Sequence, residues 1–294
     1  MLTQTRPVPH PAEETNLPTN PPTSVPAAGS PRAWDLDPAV EALVRAVPRA
    51  QVAGLPVAML DLAQTAELIC AAARARSGPA RPLYLTSANG EVISRCARDP
   101  SLDRLFRIAD VVSADGQPMV FASRLPGRRR LPERVATTDL FHLVAKRAEA
   151  EGLTFYLYGA DEEENRRAVA NAQALYPRLR IVGRSHGYLK GEALEARLDE
   201  IDALGPDILW LALGVPREQA FAVAYARRLR NVGVIKTSGG LFNFLSGRRR
   251  RAPPLLQRIG LEWTWRLALE PGRLLVRYAT TSPHALLLLL VKVG

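Results

Sequence analysis

Three short segments of this chain set acidic, amide and glycine residues side by side in a way that suits chemistry on a bound ligand. They are Ser87-Ala88-Asn89-Gly90-Glu91, Ser113-Ala114-Asp115-Gly116 and Gly214-Val215-Pro216-Arg217-Glu218-Gln219. The small residues let a ligand approach the backbone, and each segment carries one or two polar side chains that could contact it. A carboxylate such as Asp115 beside an incoming hydroxyl can take its proton as a new bond forms, contributing on the order of 10²–10⁴ in rate. The same residues also have plainer uses. Asn89 and Asp115 could cap the helices that follow them, and Gly214-Val215-Pro216 could be a tight strand-to-helix turn. Tyr158-Gly159-Ala160-Asp161 could offer amides to an anion at a helix start, and the Tyr188 ring of His186-Gly187-Tyr188 could stack on a base or sugar.

Other chemistries lack their signatures. No Gly-x-Gly-x-x-Gly and no Gly-Lys-Ser/Thr occurs, which removes the sequence basis for a dinucleotide-dependent oxidoreductase or a P-loop enzyme. No Gly-x-Ser-x-Gly elbow is present. His10, His142, His186 and His284 are scattered, and none pairs with Cys or a carboxylate at ligand spacing, so neither a metal nor a cofactor is expected. Asp35-Leu36-Asp37 has the form of an Asp-x-Asp metal motif, but its place before Pro38 predicts an N-cap for a short helix from Pro38 to Ala46. Cys70 and Cys96 have neither metal nor redox spacing and read as reduced thiols.

The elements that must position these segments can be read from hydrophobic periodicity. Short apolar runs predict strands at 83–87, 111–113, 154–158, 180–183, 208–213 and 232–237. Helical spacing covers 65–73, 90–98, 139–150, 162–175, 194–204 and 219–229. This alternation predicts an α/β fold, a Rossmann-like and mostly parallel sheet with flanking helices. In such open sheets ligands bind beyond the carboxyl ends of the strands, where the three segments fall.

Composition divides the chain into three parts. Residues 1–33 are rich in Pro, Thr and Asn with few large apolar side chains and read as a disordered tail. Residues 34–245 form the α/β domain, and 246–294 a basic, aromatic appendage. The net charge of +10 is concentrated there: Arg248–Arg251, Arg258, Arg266, Arg273, Arg277 and Lys292 face only Glu262 and Glu270. At about 100° per residue, Arg258, Glu262, Arg266, Glu270, Arg273 and Arg277 fall on one polar stripe, which Pro271 must kink or split. Trp263, Trp265 and the run Leu286–Leu290 suit a bilayer interface. No apolar signal core opens the chain, and no run approaches the ~20 apolar residues that span a bilayer. Charge alone fits anionic lipid, a pyrophosphate or nucleic acid equally, which keeps a non-catalytic RNA- or anionic-lipid-binding protein as a second reading.

Together these motifs resemble the WecG/TagA/CpsF family of glycosyltransferases. The resemblance rests on Ser-Ala-Asn-Gly-Glu at 87–91, Ala-Asp-Gly at 114–116, Arg134-Val135 with Asp139, Tyr158-Gly159-Ala160, and Pro177 with Val182-Gly183 and His186-Gly187-Tyr188. Pro206-Asp207-Ile208, Gly214-x-Pro216, Arg251-Ala252-Pro253, Gly260-Leu261-Glu262-Trp263, Arg266 and Glu270-Pro271 complete it.

The resemblance implies an inverting, metal-independent transfer of a sugar from a nucleotide-diphosphate donor, such as a UDP-linked N-acetylmannosamine or glucose, to a sugar on a polyprenyl diphosphate. This would serve cell-surface polysaccharide synthesis at the inner face of the cytoplasmic membrane, and a homo-oligomer is compatible with it. It assigns Asp115 as general base, with Asn89 and Ser87 beside it. Arg134, Gly159, Tyr188, Gly214, Gln219, Gly240 and Asn243 would face the donor. Arg258, Arg266, Arg273, Arg277 and Trp263 would face the acceptor and membrane. The chain departs from the family pattern at Thr137-Thr138-Asp139 (usually Gly-x-Asp), at Glu218-Gln219 (usually Gln-Glu) and at Asn243 (usually Asp).

Overall fold

The computed structural model describes residues 36–253, 255–256, 262–269 and 271–291, without the side chains of Arg266, Arg273 and Arg277. The expected tail at 1–33, Asp35, Arg258 and Glu270 lie outside the described residues. Chain order is α1 (Pro38–Ala46), β1 (Arg49–Val52), β2 (Leu55–Ala58), α2 (Leu62–Ala75), β3 (Leu83–Ala88), α3 (Gly90–Cys96), α4 (Pro100–Arg107), β4 (Val111–Ala114), α5 (Gln117–Ser123) and α6 (Thr137–Glu151). Then come β5 (Thr154–Gly159), α7 (Glu162–Leu175), β6 (Arg180–Ser185), α8 (Gly191–Leu204), β7 (Ile208–Ala212), α9 (Arg217–Tyr225), β8 (Val234–Thr237), α10 (Leu241–Leu245), α11 (Glu262–Leu269) and α12 (Pro271–Val291).

The six expected strands form one parallel sheet in the order β4-β3-β8-β7-β5-β6. From β3 the chain steps outward to β4 at one edge, and from β5 to β6 at the other. The last strands, β7 and β8, fill the middle. Alternation along each strand splits the core between two faces. Tyr84, Tyr156, Tyr158, Leu211 and Ile235 pack with α3, α4, α8 and α9 on one face. Leu85, Phe155, Leu157, Trp210 and Val234 pack with α1, α2, α6, α7 and α10 on the other. Central strands buried on both faces explain why the sequence shows continuous apolar runs rather than alternation.

Local chemistry sets the ends of the helices. Asp37 accepts from Ala39 N at 2.9 Å and caps α1, as its place before Pro38 predicts. Asp61 and Gln64 form a reciprocal capping box on α2. Asp161 accepts from Glu164 N at 2.7 Å and caps α7. The sequence reading passed over the β1–β2 hairpin and the short helices α4, α5 and α10. The hairpin turns on Ala53 and Gly54, both at positive φ, without the Asn-Gly or Asp-Gly that would announce it. Helix α4 spans two turns, too short for its period to stand out.

Among the described residues, the appendage contains helices α11 and α12. Helix α11 is described as far as Leu269 and α12 from Pro271 onward. Helix α12 runs for 21 residues along α3, with Leu274, Ala285 and Leu289 buried. Ser94 Oγ lies 3.0 Å from His284 Nδ1, and Arg98 Nη2 donates to Thr280 O at 3.2 Å. Its stretch Leu274–Val291 is long and apolar enough, by length and composition alone, to cross a membrane. Arg277 is its one charged residue, and Thr280, Thr281, Ser282, Pro283 and His284 separate its two apolar ends.

Candidate active site

The carboxyl ends of β3 and β4 bring the expected catalytic residues Ser87, Asn89 and Asp115 together. Asp115 N donates to Ala88 O at 2.8 Å, holding the loop after β4 against the end of β3. A Cβ on Gly116 would lie 3.3 Å from Asn89 Cα, so the two loops touch. Asn89 is the N-cap of α3, with Oδ1 accepting from Val92 N at 3.1 Å. Asp115 is not a cap, since the N-cap of α5 is Gly116. Its carboxylate turns instead to the start of α6, where Oδ2 accepts from Thr137 N at 3.1 Å and Thr137 Oγ1 at 2.8 Å. Arg134 Nε lies 3.4 Å from Asp115 Oδ1. Of the two capping uses open to these residues, Asn89 takes one and Asp115 does not.

Arg134 is committed to two carboxylates. Its Nη1 donates to Glu262 Oε2 at 2.8 Å, which ties the loop before α6 to the first residue of α11. Burial works against the charged guanidinium, but Asp115 and Glu262 outweigh it and raise the Arg134 pKa above its ordinary value. Arg251, which pairs with Asp139 on α6, lies 3.9 Å from the same Glu262 carboxylate. Glu262 therefore faces the domain rather than a solvated stripe, and the appendage reaches the loop before α6 through it. Trp263 is half exposed and meets Tyr278 edge-on at 5.9 Å.

The expected donor-side residues divide into exposed and inward-facing sets. Gly214 has φ +77° with nothing within 4 Å of a Cβ position, while its N–H and C=O are both hydrogen-bonded to Glu218. Gly240 is exposed at the N-cap of α10, and the Tyr188 ring is exposed and stacked on His186. Gly159 has a packing reason instead: at φ +141° a Cβ would sit 2.3 Å from Ala212 O on β7. Gln219 is fully buried, with Nε2 donating to Thr86 Oγ1 at 3.2 Å. Its place one residue into the second half-turn of α9 turns it toward the sheet. Asn243 Nδ2 donates to buried Glu164, which Arg248 also approaches at 3.4 Å. Among the described residues, no three His, Cys, Asp or Glu side chains gather as a metal site would require.

Residues 50–293 match the profile of the glycosyl transferase WecG/TagA/CpsF family. The chain belongs to this family. It is a glycosyltransferase, and the reading as a non-catalytic RNA- or lipid-binding protein is overturned, because a basic tail by itself does not specify its partner. One curated relative, the N-acetylglucosaminyldiphosphoundecaprenol N-acetyl-beta-D-mannosaminyltransferase of Bacillus spizizenii, is 32% identical over 190 residues, covering 65% of this chain and 72% of the relative. The protein of the same description from Bacillus subtilis is 31% identical over 189 residues, covering 64% and 72%.

Three residues of the site escaped the sequence reading. Thr137 drew notice only as a departure, yet it holds Asp115 through both its amide and its hydroxyl. Glu218 is buried and accepts from Gly214 N at 3.2 Å and Gly239 N at 2.8 Å, pinning two loops of the site. Burial pushes its carboxyl pKa up, against these two amides and the nearby Lys236 charge. Lys236 is fully buried on β8, and the signal for it was in plain sight: a single charge inside the apolar strand reading 232–237. Cys70 and Cys96 are free and buried, and burial raises both thiols to about 12, so neither is a nucleophile.

Proposed function

We propose that this glycosyltransferase moves a sugar, with inversion, from a nucleotide-diphosphate donor to a hydroxyl of a sugar carried on a polyprenyl diphosphate. The observation that carries the reading is the Asp115 carboxylate. It lies beyond a strand end, is oriented by Thr137 and Arg134, and does not cap α5, the helix that follows it. A carboxylate so held can accept the proton of the attacking hydroxyl while the nucleotide diphosphate leaves from the opposite face of the sugar. The acceptor class follows from the relatives, whose names describe transfer to N-acetylglucosaminyldiphosphoundecaprenol. For the donor we propose a UDP-linked sugar, N-acetylmannosamine or glucose.

We assign leaving-group stabilisation to the exposed backbone at Gly240 and to the arginines after α10, with no divalent metal taking part. Transfer that survives thorough chelation checks it.

The membrane-surface placement rests on the outer face of α12. Leu275, Val276, Leu286, Leu287, Leu290 and Val291 are exposed, while the opposite face packs on α3. A helix held along its length by protein on one side and apolar on the other suits lying in the headgroup boundary.

The decisive experiment assays Asp115→Asn with a panel of nucleotide sugars and short-chain lipid-diphosphate acceptors. The expected result is a loss in kcat on the order of 10²–10⁴ with donor affinity retained. Near-wild-type turnover would remove Asp115 from its role.

A further inference from the structure

Lys236 occupies the face of the sheet that holds Leu85, Trp210 and Val234, beside Leu85 and Trp210 in the strand register. Its side chain has no exposed surface. Burying an ammonium in such surroundings is costly unless a carboxylate meets it directly, and among the described residues none lies within ion-pair distance of it. Its hydrogen bonds go to two neutral oxygens, Ser87 Oγ at 2.9 Å and Thr237 O at 2.6 Å. Asp115 and Glu218 act on it only through space.

Ser87 is the route by which this charge reaches the site. Its side chain is part-exposed at the end of β3, between Lys236 and Thr137. The Thr137 hydroxyl has one proton, which goes to Asp115 at 2.8 Å rather than to Ser87 at 3.4 Å. Ser87 therefore accepts from the ammonium and keeps its own O–H to donate. A hydroxyl that accepts from a cation is polarised into a stronger donor.

We propose that Lys236 is a positioning residue that acts through Ser87, orienting and polarising its hydroxyl to donate to an anionic diphosphate oxygen of the nucleotide ligand, whose charge supplies the counter-ion that the buried ammonium lacks. This rests on the glycosyltransferase reading of the site and adds to it a residue that never touches the ligand.

Burial holds the Lys236 pKa down to about 8, with Asp115 and Glu218 pulling it upward. Arg134 beyond Asp115 opposes them. The ammonium is present below that value and lost above it, so ligand affinity falls as pH rises through about 8. Because the folded pKa lies below the unfolded one, the same group lowers stability as pH falls from about 10.4 through 8. A neutral side chain of similar length at 236 is then expected to be tolerated at pH 7, whereas a purely structural lysine would be missed.

The test is calorimetric titration of uridine, adenosine and guanosine diphosphate, followed with the tightest of the three. Lys236→Met is expected to keep or raise the thermal midpoint at pH 7 while weakening binding roughly 10- to 100-fold, the range of a hydrogen bond to a charged group. Ser87→Ala should weaken binding similarly, and the double variant no further. Wild-type affinity should fall between pH 7.5 and 9 while that of Ser87→Ala stays flat, a comparison that does not require the Lys236 variant to fold; Lys236→Gln serves as a second neutral variant. Unchanged affinity in Lys236→Met, parallel pH profiles, or multiplicative losses in the double variant overturn the proposal alone. Wild type that binds none of the three nucleotides overturns the reading of the site as well.

Discussion

Arg134 on the loop before α6 donates to Glu262 at the head of α11, 2.8 Å away and 128 residues later in sequence. The same guanidinium lies 3.4 Å from the proposed base, Asp115. One arginine thus couples the catalytic loop of the sheet domain to the appendage. Side chains of the pair are 20% and 12% exposed, so solvent screens the interaction only partly.

Glu262→Gln should therefore loosen the appendage and disturb Asp115 together. The expected cost is about 1–3 kcal/mol, the range for leaving a buried charged group without its partner. Urea unfolding reads the stability loss, and transfer assays should show a reduced kcat. An unchanged midpoint with full activity would mean the pair does not hold the appendage.

Thr137→Val removes the 2.8 Å hydroxyl bond to Asp115 while leaving the backbone N–H bond in place. A charge-assisted bond of this kind is worth about 1.5–3 kcal/mol. We expect kcat to fall roughly 10- to 100-fold, with little change in donor KM. Loss confined to KM would place Thr137 in ligand binding instead.

Asn243 stands where the family pattern has Asp, and the structure gives a reason: its amide nitrogen donates to buried Glu164. Asn243→Asp would set two carboxylates against each other, destabilising the fold by about 1–3 kcal/mol. Adding Glu164→Gln to that variant should recover most of the loss, because a donor again faces the aspartate. Chemical denaturation of the wild type and both variants decides the matter.

Leu287→Glu and Leu290→Glu place charge on the outer face of α12, where both leucines are exposed. Stability should change by no more than about 0.5 kcal/mol, as for other surface substitutions. Flotation with vesicles containing anionic lipid should fall sharply for the double variant. Undiminished flotation would put the membrane contact elsewhere on the molecule.

Much of this was legible in the chain. The strands and the order of helices followed from apolar runs that a sheet buried on both faces requires. Asp115 and Asn89 were identifiable because strand-end segments of small and polar residues are short-range features. The three-dimensional juxtaposition of distant groups was not. Thr137 looked like an intruder where a glycine is usual, until the fold placed its hydroxyl on Asp115. Gln219 read as a ligand-facing amide, yet the phase of α9 turns it inward to Thr86.

The sequence by itself determined the family, the parallel α/β sheet and the residue types at the strand ends, because periodicity and local motifs depend on neighbours along the chain. Only the tertiary structure decided that Glu262 belongs to Arg134, that Gly159 is needed against Ala212, and that Lys236 is enclosed with no direct carboxylate partner among the described residues. Those are consequences of the strand order β4-β3-β8-β7-β5-β6, which closes loops of many tens of residues. Contacts formed across such separations leave no periodic trace in the sequence that makes them.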